Sequence, residues 1–110
     1  MGTESSVIKG TLDMLVLKVL SLGPLHGWGI SELIQARSAE ALRVGQGALY
    51  ASLYRLTREG WIRSSWRNTE NGRRARYYVL TRAGEQQLES EAAHWQRLAA
   101  GVTRIMALNV

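Results

Sequence analysis

From Gly45 to Gly60 the chain reads Gly-Gln-Gly-Ala-Leu-Tyr-Ala-Ser-Leu-Tyr-Arg-Leu-Thr-Arg-Glu-Gly. Leu49, Leu53 and Leu56 fall at i, i+4 and i+7, one apolar stripe of an amphipathic helix. The other side then carries Gln46, Tyr50, Tyr54, Arg55 and Arg58, with no acid before Glu59. Hydrogen-bonding and cationic groups without carboxylates suit an anionic, grooved partner, so the helix is expected to lie in the major groove of double-stranded DNA. Gln46 can bond adenine through N6 and N7, although a polar residue exposed at a helix start is the plain alternative. Arg55 and Arg58 can read guanine or hold phosphate, phosphate first. Tyr50 and Tyr54 can donate to phosphate, unless one of them packs on the core.

The charge distribution points the same way. Residues 55 to 82 hold eight arginines against Glu59 and Glu70, an excess of six positive charges in a chain whose net charge is +5. A basic region next to a near-neutral remainder is the electrostatic footprint of a polyanion binder. Arginine suits phosphate better than lysine does, because its planar fork makes two parallel hydrogen bonds.

Other chemistries fit poorly. His26 and His94 are far apart in the chain and there is no cysteine, so thiolate metal sites and disulfides are excluded. Neither a carboxylate pair nor a phosphate-binding glycine loop stands in the context catalysis needs, so no enzyme, metal or cofactor is expected. His26, at a helix entrance, reads as a cap or packing group. A winged-helix module for protein contact without DNA binding is the alternative function, but it would not need eight arginines here. The groove of double-stranded RNA would not admit the Tyr50–Arg58 face.

These groups must be positioned by the rest of the chain. One hundred and ten residues make one compact unit by the usual prior. Met1 to Gly10 reads as a loose arm, polar at first and unlike a secretory signal. Thr11 is placed to cap a helix over 12–22 that is apolar on nearly every side, which predicts burial against the core and a partner subunit. Lys18 interrupts that run, and it is too short to span a bilayer; the cysteine-free composition fits a reducing cytoplasm, where the protein is expected. After the Gly23-Pro24 break a second helix is predicted over 27–38, burying Trp28, Ile30, Leu33 and Ile34. Residues 41–44 read as a short strand. Ile62, Ser64 and Trp66 alternate with Arg63, Ser65 and Arg67, a half-exposed strand. Asn71-Gly72 is a hairpin turn, and Arg73 to Leu80 returns with Tyr78 and Leu80 facing the core. Thr81 caps a last helix running towards Leu108. Its Leu88, Trp95, Leu98, Val102 and Ile105 follow a heptad register, flawed at Glu91, and predict dimerisation through a second copy. The expected fold is mainly α with a small antiparallel β-hairpin: a winged helix-turn-helix over 1–81 and a dimerisation helix over 82–110. Trp95 is a large residue of that interface.

The sequence also resembles the PadR-like transcriptional regulators, of the short type with a single C-terminal helix. The matching stretches are Gly10-Thr11-Leu12-Asp13-Met14-Leu15, residues 22–30 from Leu22-Gly23-Pro24 to Gly29-Ile30, residues 47–56 around Leu49-Tyr50-Ala51-Ser52, Gly60-Trp61-Ile62, residues 71–81 and Ala83-Gly84. The resemblance implies a homodimer that binds a palindromic operator and represses the neighbouring gene. It implies DNA contacts at Tyr50 and at the wing residues Arg73, Arg74 and Tyr77. It also implies that Trp95 lines a cavity between subunits for a small planar hydrophobic or phenolic effector. Ala48 and Ala51 depart from the family, which often has a hydroxyl residue and a proline there; the operator sequence is affected more than the binding mode.

Overall fold

The structure is a computed structural model that describes residues 11–109. The arm over Met1–Gly10, including the glycine that opens the first matching stretch, lies outside the described residues. Helix α1 (Leu12–Leu20) is followed by strand β1 (Leu25–His26), α2 (Gly27–Arg37), α3 (Gln46–Arg58), β2 (Ile62–Asn68), β3 (Arg74–Leu80) and α4 (Arg82–Met106). This is the winged helix-turn-helix with a long last helix that the sequence predicts.

The core forms where the apolar stripes of three helices meet one end of the sheet. Leu12, Val16, Leu17 and Leu20 of α1, Ile30 and Ile34 of α2, Leu49, Leu53 and Leu56 of α3, and Ile62 and Tyr78 of the sheet are all buried. Leu15 and Val19 on the flank of α1 also pack on this cluster, so the domain itself covers much of the apolar surface of α1. Trp28 departs from expectation. Helix α2 buries Gly27, Ile30 and Ile34, and Trp28, beside that stripe, is 63% exposed.

The sheet has three strands in the order β1-β3-β2, one more than the expected hairpin. The third is not the stretch over 41–44, which has no regular structure although Leu42 and Val44 tuck against the core. It is Leu25–His26, whose residues pair with Tyr78 and Tyr77 on the outer side of β3. Two residues are too few to show an alternating pattern, so only their position beside β3 makes them a strand. His26 then caps α2: its Nδ1 accepts from Gly29 N at 3.0 Å, satisfying a donor of the first turn.

Strands β2 and β3 pair from Ile62↔Leu80 to Asn68↔Arg74. The core end of the hairpin is buried and the far end projects, which makes it a wing. At the other end Thr81 ties α4 to α3. Its Oγ1 accepts from Gly84 N at 3.0 Å and donates to the carbonyl of Gly60 at 2.7 Å. Gly84 is needed there, since a Cβ would meet the backbone carbonyl of Trp61 and the side chain of Leu80. Leu88 packs against the domain core. Further on, past the stretch that flanks α1, α4 projects from the body, and the radius of gyration of 15.4 Å exceeds the ~13 Å of a compact chain of this length.

Candidate nucleic-acid interface

Helix α3 is held by its leucine stripe and by one polar seam. Ser52 is fully buried, and its hydroxyl donates to Asp13 Oδ1 at 2.6 Å across to α1. Arg55, one turn on, reaches the same carboxylate. Its Nη2 lies 2.7 Å from Oδ1 and its Nε 3.2 Å from Oδ2. This revises the expected role of Arg55. Two of its nitrogens are spent on Asp13, so it fastens the helix to α1 instead of projecting with Arg58. The hydrogen-bonded carboxylate raises the Arg55 pKa above its ordinary value, burial opposing. Asp13, expected to serve the dipole of α1, has the further task of gripping α3.

The opposite side of α3 is open. Gln46, Tyr50, Tyr54 and Arg58 are all exposed. Tyr50 leans across the first turn of α2, where a Cβ on Gly27 would come 2.6 Å from its hydroxyl oxygen. The glycine therefore leaves room for the ring, which stays half exposed. Tyr54 supports the Arg58 guanidinium, whose carbon is 5.7 Å from the ring centroid.

The wing completes this surface. Side chains alternate between sheet faces, so Trp66, Arg74 and Arg76 continue the face that carries Ile62, Ser64 and Tyr78 at the core. The Trp66 ring lies beneath both guanidiniums, with centroid distances of 5.8 Å for Arg74 and 5.4 Å for Arg76. Arg76 Nε also donates to Ser64 Oγ at 2.9 Å. Tyr50, Tyr54, Ser64, Arg76 and Tyr78 line one groove between α3 and the wing, and Trp28, Trp66 and Arg74 border its continuation. Burial raises the phenol pKa of Tyr78 above 10, and the charge of Arg76 pulls it the other way.

The structure thus brings Tyr50, Tyr54, Arg58 and Arg74 to one side of the molecule. Arg73 is exposed at the hairpin tip, where its backbone N–H donates to Thr69 Oγ1 at 3.2 Å. Tyr77 falls elsewhere. It stands on the other sheet face, edge-on to His26 at 5.2 Å and under Arg67 at 5.4 Å, so strand parity separates it from the groove. Sequence reasoning left Arg76 and Trp66 out of the site. The same parity could have found them, since Arg74, Arg76 and Trp66 share a sheet face, and Arg73 at the tip borders the same groove.

At the other end of the domain, Trp95 borders an open cavity between α1 and α4, with Thr11, Met14, Glu91, His94 and Leu98. Trp95, Leu98, Val102 and Ile105 are exposed along the projecting helix. Leu88, expected in the same dimer stripe, instead packs on its own domain, because it lies in the part of α4 that still touches the body.

Comparison with known proteins agrees with this architecture. The sequence profile of the Transcriptional regulator PadR-like family matches residues 16–90. An uncharacterized 37.1 kDa protein in a transposon of Streptomyces fradiae is 40% identical over 90 residues, 82% of this chain. The chain spans only 24% of that relative's length. The solved structure of a transcriptional regulator from Clostridium thermocellum superimposes with a TM-score of 0.81 at 26% identity, covering 90% of this chain and 96% of the other. A PadR-like transcription factor from Bacteroides fragilis superimposes with a TM-score of 0.69 at 30% identity, covering 96% and 99%.

Proposed function

The chain belongs to the PadR-like family of transcriptional regulators, DNA-binding proteins and not enzymes, and from that premise we propose that it is a cytoplasmic, homodimeric repressor of a palindromic operator, released by a small planar hydrophobic or phenolic effector. One observation carries the reading: helix α3 and one face of the wing bring Tyr50, Tyr54, Arg58, Arg74 and Arg76 to the same side of the molecule. On that face Gln46 reads a base edge, Tyr50, Tyr54 and Arg58 hold the major-groove backbone, and Arg73, Arg74 and Arg76 extend the contact along the phosphates. Arg55 supports the helix from behind, and Tyr77 braces the wing.

The dimer forms through Trp95, Leu98, Val102 and Ile105, an apolar stripe that stays exposed on the projecting helix. Two-fold pairing sets two α3 helices into successive major grooves about 34 Å apart. The effector occupies the cavity at Trp95 and acts by binding one dimer geometry better than another. Among the described residues no helix is long and apolar enough to cross a membrane.

Selection of bound duplexes from a random pool tests the reading. A two-fold symmetric consensus with half-sites one helical turn apart is expected. Affinity should fall ~10³–10⁵-fold from 50 to 200 mM salt if the dimer engages six to ten phosphates. Absence of any duplex binding at 50 mM salt would favour a winged helix used for protein contact.

A further inference from the structure

We propose that Trp66 is a positioning residue for DNA binding, a platform that holds the guanidiniums of Arg74 and Arg76 in the conformation that engages backbone phosphates. The inference rests on the proposed DNA face and adds to it a residue that makes no charged contact of its own.

Trp66 is an apolar residue in an exposed place. It is 54% exposed on the projecting part of the wing, beyond the buried Ile62 and Tyr78, so it does not serve the core. What it touches is cationic. Arg76 is its cross-strand partner, and Arg74 lies diagonally across, two residues before Arg76. Both guanidiniums sit over the same ring. An indole face attracts such cations through its quadrupole. Ser64 takes Arg76 Nε at 2.9 Å and fixes the plane of the fork. The terminal nitrogens, which make two parallel bonds to phosphate, are not used by that bond.

The physical gain is preorganisation. A free arginine side chain loses several rotations when it settles on a phosphate. An arginine already laid on a ring and pinned at Nε has lost most of them on folding. The same device recurs on α3, where Tyr54 lies under Arg58. Arg55 is the contrast, since a carboxylate holds it and takes two of its five N–H donors.

The test compares Trp66→Leu, Trp66→Phe and the double variant Arg74→Lys with Arg76→Lys in the full-length chain. None changes the net charge, so a change in salt dependence reports how many phosphates the protein neutralises. Binding to a fixed duplex is measured from 50 to 200 mM salt, with thermal melting to verify folding. Trp66→Leu should lower the slope of log K against log[salt] by ~0.9 for each phosphate no longer neutralised, whereas the double lysine variant, whose ammoniums still neutralise phosphate, should keep the slope and bind more weakly at every salt concentration. Trp66→Phe, which keeps an aromatic face, should retain most of the slope. An unchanged slope in folded Trp66→Leu overturns the proposal. So does a Phe variant as impaired as the Leu variant, which would mean that the indole itself touches DNA. If the unaltered protein binds no duplex, the DNA face is wrong and the wing is not at issue.

Discussion

At the scale of single residues, the arginines divide by what stands beneath them. Arg55 faces a carboxylate and Arg58 faces a ring, although the two are three residues apart on one helix. Arg58→Ala should therefore reduce the salt slope of duplex binding by ~0.9 per protomer and leave thermal stability nearly unchanged. Arg55→Ala should do the reverse. Its ion pair is partly solvated, so the loss should fall within about 0–1 kcal/mol, read from a denaturant midpoint. Tyr78 gives a pH prediction. Its phenol is raised above 10 by burial in the fold, so the unfolded chain ionises first. The contribution of Tyr78 is full below pH 10 and is lost as pH rises through the folded pKa. Tyr78→Phe should flatten the fall in stability above about pH 10, as followed by urea unfolding.

At the scale of elements, the junction of α3, β2 and α4 is closely packed. The start of α4 approaches the Trp61 carbonyl where Gly84 has no side chain, and Thr81 bonds to both Gly84 and Gly60. Alanine favours a helix interior by ~1 kcal/mol over glycine, yet Gly84→Ala should destabilise by about 1–3 kcal/mol, because overpacking against backbone forces a shift. A rise in melting temperature would show that the junction gives way easily. The junction matters for function because it sets the angle at which α4, and with it any second copy, departs from the DNA-binding body.

At the scale of the whole molecule, one end is a basic face and the other a projecting apolar stripe, joined by a small core. Leu88 belongs to that core and Trp95 to the stripe. A chain ending at Ser90 should therefore keep the winged fold and sediment as a monomer. The full chain carrying Leu98→Glu and Ile105→Glu should also be monomeric. A dimer persisting in both variants would place the interface elsewhere. Asp13 lies on α1 between Thr11 and Met14, which border the Trp95 cavity, and bonds directly to α3. Cavity and recognition helix are thus separated by one element.

Periodicity and punctuation were sufficient for the helices, the wing, the caps at His26 and Thr81, and the cationic face of α3, because each depends on neighbours within about one helical turn or one hairpin. Three features depended on residues distant in the chain. Leu25–His26 became a strand only beside β3, Arg55 turned to Asp13, and Leu88 was drawn onto its own core. Local sequence determines which side of an element a residue occupies, but only packing determines what lies opposite that side. For a charged or aromatic side chain, what lies opposite decides whether it holds the fold together or remains free for DNA.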